Sequence, residues 1–158
     1  MDKPNLVKIL IEDKIPDEIR SFLPVICNIE LDEELEKENI KALLEAIELI
    51  NEKLHLNRLV PIIIGKSPFK ITLKSGTFIY AMKTNVINSF AENFIFFDFN
   101  NMRKLPFPIK VAYILEEFVH AIMNVSEELL TAKIVNLLYP AVSITPAGRY
   151  EVYVRHKL

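Results

Sequence analysis

Glycine is scarce in this chain: only Gly65, Gly76 and Gly148 occur in 158 residues. A phosphate-cradling loop or a dinucleotide fingerprint needs several glycines close together, so nucleotide-dependent chemistry is disfavoured. No Gly-x-Ser-x-Gly elbow occurs, and the one cysteine, Cys27, has no histidine placed by sequence to activate it, which disfavours covalent catalysis. A single cysteine makes no intrachain disulfide. Cys27 follows the apolar run Pro24, Val25 and Ile26, so it reads as a small buried hydrophobe, and nothing points to an oxidising compartment. Gly/Ser linkers, low-complexity tracts and internal repeats are also missing, and we expect one domain over residues 1–158.

Apolar runs stop well short of the ~20 residues that span a bilayer. The opening Met1, Asp2, Lys3, Pro4, Asn5 lacks the cationic start and apolar stretch of a secretory signal. The expectation is therefore a soluble cytoplasmic protein with no membrane partner. The charge balance, 19 basic against 21 acidic residues for a net −2, gives no broad electrostatic reason to bind nucleic acid. Arg149, Arg155, His156 and Lys157 collect near the C-terminus without an interleaved aromatic platform, and read as a solvated strand end. A protein or peptide partner stays open.

What is present is core-forming material. Hydrophobic residues make up 51% and charged residues 25%, the balance of a packed globule rather than a disordered chain. The wealth of Ile, Lys and Glu would suit a thermophile.

Along the chain the periodicity changes several times. Leu6 to Ile11 is rich in branched residues and predicts a short strand; Pro16, Asp17 and Glu18 open a brief helix ending before Pro24; Val25 to Leu31 predicts a second strand. Asp32 is a suitable N-cap for a long helix with Leu35, Ile40, Leu43, Leu44, Ile47, Ile50 and Leu54 at helical spacing. Its Glu-rich face, with Glu33 and Lys37 at i,i+4, reads as solvated surface. Leu59 to Ile64 then predicts a buried strand, Ile71 to Leu73 pairs with Phe78 to Tyr80 across a turn at Ser75 and Gly76, and Phe94 to Phe99 adds a strand. After Pro106 and Pro108, Ile109 to Asn124 is helical again. Ser126, Glu127 and Glu128 start another helix, which reaches Tyr139 before Pro140; after Pro146 and Gly148, Tyr150 to Val154 alternates like a final strand. The fold class is α+β, with a small mixed sheet.

On a wheel of about 100° per residue, Lys110, Tyr113, Glu116, Glu117, His120 and Asn124 fall in one arc of the helix over 109–124, and the rest is apolar. A narrow polar strip on a mostly buried helix is suited to line a cleft. Glu116 and His120 stand one turn apart, placed to grip a single metal ion.

The run Glu116-Glu117-Phe118-Val119-His120-Ala121 resembles the active-site helix of zincin-type zinc metallopeptidases, His-Glu-x-x-His, with glutamate in place of the first histidine. In that family the two histidines bind zinc and the glutamate between them activates a metal-bound water. A third ligand comes from a later segment, and in the gluzincin branch it is a glutamate. The resemblance implies a zincin-like core, with Glu117 at the general-base position, His120 and Glu116 at the ligand positions, and Glu127 or Glu128 as the third ligand. Zinc or another divalent metal is the implied cofactor. Leu137-Leu138-Tyr139-Pro140 also resembles the end of the helix that follows the motif in small intracellular zincins. The substituted motif implies either an altered metal site or a pseudoenzyme.

Three functions follow as expectations. The first is a zincin-like, non-peptidase binding or regulatory module with a degenerate metal motif. The second is a metal-dependent hydrolase in which Glu116, His120 and Glu128 hold the metal, Glu117 is the base and Tyr113 a polar neighbour. The third is a structural or interaction protein unrelated to zincins, whose Glu116, Glu117 and His120 are the exposed stripe of an ordinary amphipathic helix, with Glu127 and Glu128 serving helix-start electrostatics. The pairs Glu52-x-x-His55 and Glu117-x-x-His120 also have the spacing of carboxylate-bridged di-iron bundles, but such a site needs four long helices, and the strands between 59 and 99 oppose it.

Overall fold

The computed structural model describes residues 5–29, 34–66, 69–73, 76–80, 88–91 and 94–153. The chain opens on a helix, α1 (Leu6–Glu12), where a strand was expected. Branched residues favour strands only as surfaces to be packed, and here Val7 and Ile11, one helical turn apart, are the buried pair. Asn5 decides the matter locally: its Oδ1 accepts from the Lys8 N–H while its Nδ2 donates to the carbonyls of Cys27 and Ile29. One side chain thus caps the helix and ties it to the end of the first strand.

The brief α2 (Asp17–Arg20) follows, then β1 (Val25–Cys27), shorter than the run that predicted it, and α3 (Glu34–Lys53). The expected cap at Asp32 and the pair beginning at Glu33 lie outside the described residues. Helix α3 buries Ile40, Leu43, Ile47 and Ile50 together with Ala42 and Ala46, the stripe its periodicity implied. Next come β2 (Ile62–Gly65), β3 (Phe69–Leu73), β4 (Gly76–Tyr80), β5 (Asn88–Ala91) and β6 (Phe94–Asp98). The expected β3–β4 hairpin forms, but in a different register: Ile71 to Leu73 pair with Phe78 to Gly76, so Gly76, expected in the turn, is paired opposite Leu73, and Tyr80 pairs with Phe69; the turn residue Ser75 lies outside the described residues.

The main sheet is mixed, in the order β1-β2-β6-β5. Strands β1, β2 and β6 run parallel, and β5 closes the edge antiparallel to β6. Alternation sorts the strand side chains: Ile62, Ile64, Ile95 and Phe97 join the main core, while Ile63 and Phe96 form a small cluster on the opposite face. Phe99, expected as strand, instead begins α4 (Phe99–Met102), because Asp98 Oδ1 accepts from the N–H groups of Asn100 and Asn101 at 2.9 and 3.3 Å. Asn39 on α3 donates to the Phe99 carbonyl at 2.9 Å, and the fully buried Glu36 pairs with both Lys66 and Arg103. These contacts lock α3 to the end of the sheet.

Helix α5 (Phe107–Met123) starts with Pro108 in its first turn, where a missing N–H costs nothing. It lies against α3 and the sheet, burying Val111, Ile114, Leu115, Phe118 and Val119 completely. Asn124, at φ 54°, ends it in the left-handed conformation and donates its N–H to the His120 carbonyl. The chain then reverses into α6 (Glu128–Leu138). Ser126 does not cap this helix; Glu127 stands at the N-cap without a side-chain cap bond, since Val125 and Ser126 are used in turning the chain out of Asn124. Lys53 Nζ donates to the Leu138 carbonyl at 2.7 Å and satisfies the far end of α6. A closing hairpin pairs β7 (Val142–Ile144) with β8 (Tyr150–Val152). Gly148, at φ 76°, sits in its turn, in a conformation that suits glycine. Of the basic C-terminal cluster only Arg149 is described; Arg155, His156 and Lys157 lie outside the described residues.

The architecture is α+β, and one core cluster runs from Val7 on α1 to Tyr150 on β8. Among the described residues no helix is long and apolar enough to cross a membrane.

Candidate metal centre at the junction of α5 and α6

The polar strip on α5 divides into two parts with different fates. Lys110 is fully buried and its Nζ meets Glu38 Oε1 on α3 at 2.8 Å, so this residue belongs to the helix–helix interface and not to a cleft. One to four turns further along, Glu116, Glu117, His120 and Asn124 reach the turn into α6. There Glu117, His120, Asn124, Val125, Ser126 and Glu128 line a cavity of about 340 Å³.

Glu116 and His120 lie on one face because they are four residues apart on a helix. Glu128 is brought to them by the reversal at Asn124. Each of the three offers a ligand atom, and the three atoms lie within 4.8 Å of one another. Among the described residues this is the one group of three or more such side chains. Glu127 takes no part in it; its carbonyl accepts from the Thr131 N–H and Oγ1 inside α6. Glu52 and His55, exposed at the end of α3, stay outside it.

The imidazole is held in a defined state. His120 Nδ1 meets the Val125 carbonyl at 2.5 Å, and a carbonyl only accepts, so Nδ1 carries the proton. The ring therefore turns Nε2 toward Glu128, whose Oε2 is 3.6 Å away. A ring N–H given to a backbone carbonyl is the outer-shell arrangement of metal-binding histidines.

The carboxyl groups of Glu116 and Glu117 are crowded and poorly hydrated, whereas Glu128 is exposed. Glu117 is 9% exposed and its Oε2 has no hydrogen-bond partner. Burial, reinforced by the charges of Glu116 and Glu128 and opposed by His120, pushes its carboxyl up to about 7. Glu116 is also pushed up to about 7, by burial first, with Glu128 adding to the shift and Tyr150 and His120 opposing it. Burial and Glu116 likewise raise the phenols of Tyr113 and Tyr150. Three carboxyl groups thus gather around one imidazole. A divalent cation would supply the missing positive charge, and the donor set of two carboxylates and one imidazole fits such an ion.

Tyr113, expected as a polar neighbour, lies half-buried one turn before Glu116. Its ring meets that of Tyr150 edge-on, with centroids 5.4 Å apart and planes at 86°. Tyr150 is the site residue the sequence reading missed. It stands 34 positions beyond Glu116, and only the β7–β8 hairpin returns it; its place in an alternating strand was the one available signal. Cys27 is chemically quiet, its thiol pushed up to about 11 by burial.

Comparison of the chain with family models, curated proteins and solved structures returns no match.

Proposed function

We propose that this protein binds a divalent metal ion through Glu116, His120 and Glu128, as a binding or regulatory module on a zincin-like scaffold whose motif has lost its first histidine. The observation that carries this reading is the convergence of three ligand atoms within 4.8 Å from two different helices. The oriented imidazole supports it, because His120 needs no tautomer change to ligate. With two carboxylates and a single imidazole the donor set is harder than that of a two-histidine zinc site, so manganese and iron are candidates beside zinc. Equilibrium dialysis against Zn²⁺ and Mn²⁺, with metal counted by atomic spectrometry, should give stoichiometric uptake that His120→Ala loses. Uptake equal in the two proteins would refute the site.

One observation favours the second reading, a metal-dependent hydrolase: Glu117, whose buried Oε2 has no hydrogen-bond partner, lines the same cavity as His120 and Glu128. A divalent ion held there would acidify a water molecule. Glu117 is placed to take that proton, and burial gives its carboxyl the basicity a general base needs near neutral pH. Peptide hydrolysis by the metal-loaded protein, lost in Glu117→Gln while metal content is retained, would establish this activity; a loaded protein that hydrolyses nothing leaves the binding module.

A further inference from the structure

We infer that Tyr150 is a positioning residue for this site: its hydroxyl donates to the Glu116 oxygen that does not ligate the cation, and thereby fixes the direction in which that carboxylate faces. The inference rests on the metal-binding reading above. Tyr150 is 8% exposed, and its hydroxyl forms a side-chain hydrogen-bonding pair with Glu116 that is not well aligned. A buried hydroxyl with a poorly made hydrogen bond is costly, and proteins keep few of them. This one is not adrift in the core. The ring stands edge-on to Tyr113, which is one helical turn from Glu116 on the same face of α5. The hydroxyl and the Glu116 carboxylate act on each other through that side-chain hydrogen bond, whose alignment falls short of a well-formed one.

The pieces fit a site set for its ion. Glu116 has two oxygens; when one turns to the cation beside His120 and Glu128, the other is left in a buried pocket and needs a donor. Tyr150 Oη is the donor at hand. The β7–β8 hairpin holds it there, with Tyr150 registered opposite Ile144. Ligating carboxylates are ordinarily hydrogen-bonded in this way, and His120 already has its equivalent in the Val125 carbonyl. Tyr150 and Val125 would then each orient one ligand.

The test is zinc affinity by chelator competition in a four-protein cycle: parent, Tyr150→Phe, Glu116→Gln and the double variant. Tyr150→Phe keeps the ring and removes only the hydroxyl, so melting in EDTA should be unchanged or higher. Zinc affinity should fall about 10- to 100-fold, the usual effect of losing an outer-shell partner. Against Glu116→Gln, Tyr150→Phe should add little, because the carboxylate it orients is gone. Unchanged affinity in Tyr150→Phe overturns the inference while leaving the metal site standing. An equal loss in both backgrounds also overturns it, since Tyr150 would then act without Glu116. A parent that takes up no zinc defeats the metal reading itself, and this inference with it. Should Tyr150→Phe not fold, the tyrosine ultraviolet difference spectrum of the parent is decisive: zinc must perturb it as the bond from the hydroxyl to Glu116 tightens, and a spectrum indifferent to zinc counts against Tyr150.

Discussion

The Nδ1 of His120 and the backbone carbonyl of Val125 are 2.5 Å apart, and this contact settles which ring nitrogen faces Glu128. It spans the helix end, so the same turn that reverses the chain also orients the imidazole. Removing the ring should therefore separate function from folding. His120→Ala is expected to lose metal uptake altogether while costing about 1 kcal/mol of stability, the worth of one ordinary hydrogen bond at a half-buried position. Thermal melting and dialysis on the same samples decide it; collapse of the fold would mean that the ring is a packing element.

Placing a second histidine on α5 tests the proposed scaffold. Glu116→His places two imidazoles one turn apart on α5, and with Glu128 already beside them the zinc site should strengthen sharply. Zinc should also raise the melting temperature, since it binds the native state alone. Chelator competition should show the gain destroyed by Glu128→Ala and indifferent to Glu127→Ala, because only Glu128 belongs to the three-residue group. Weak binding that ignores both glutamates would leave an ordinary amphipathic helix.

The raised carboxyls carry a pH signature. Glu116 and Glu117 are each pushed up to about 7 from 4.5, so the native chain holds protons that the unfolded chain has released. Their contribution to stability is complete below about pH 4.5 and is lost as the pH rises toward 7 and beyond. The metal-free protein should thus lose stability across that interval, by at most about 1.4 kcal/mol per pH unit for each group. Glu117→Gln should remove one proton from the slope. Melting curves in EDTA at stepped pH check this, and a flat profile in the parent contradicts it.

Phe118 lies on the opposite side of α5 from the site, fully buried, its ring 6.3 Å from that of Phe97 on β6. Phe118→Ala should destabilise the protein by about 3 to 5 kcal/mol through the lost ring and the cavity left behind. Denaturant titration measures it. A change below about 1 kcal/mol would mean that α5 is rotated from the orientation described.

Much of this molecule is legible one element at a time. The helical stripe of α3, the Pro-rich entry to α5, the stop at Pro140 and the existence of the β3–β4 hairpin, though not its register, all follow from local periodicity and turn chemistry. So does the one-turn spacing of Glu116 and His120, because helix geometry fixes it wherever the helix lies. Tertiary structure decided the rest. Leu6 to Ile11 could satisfy a strand or a helix, and the Asn5 side chain, bonded to Cys27 and Ile29, selected the helix. Lys110 shares the wheel arc of Glu117, but a wheel does not show what stands opposite each turn, and α3 claims Lys110 through Glu38. Glu127 and Glu128 are equivalent as letters; the reversal at Asn124 brings only the second to His120. Tyr150 is invisible from Glu116 in the chain, because proximity across 34 residues is a property of packed elements and is not written in any local pattern.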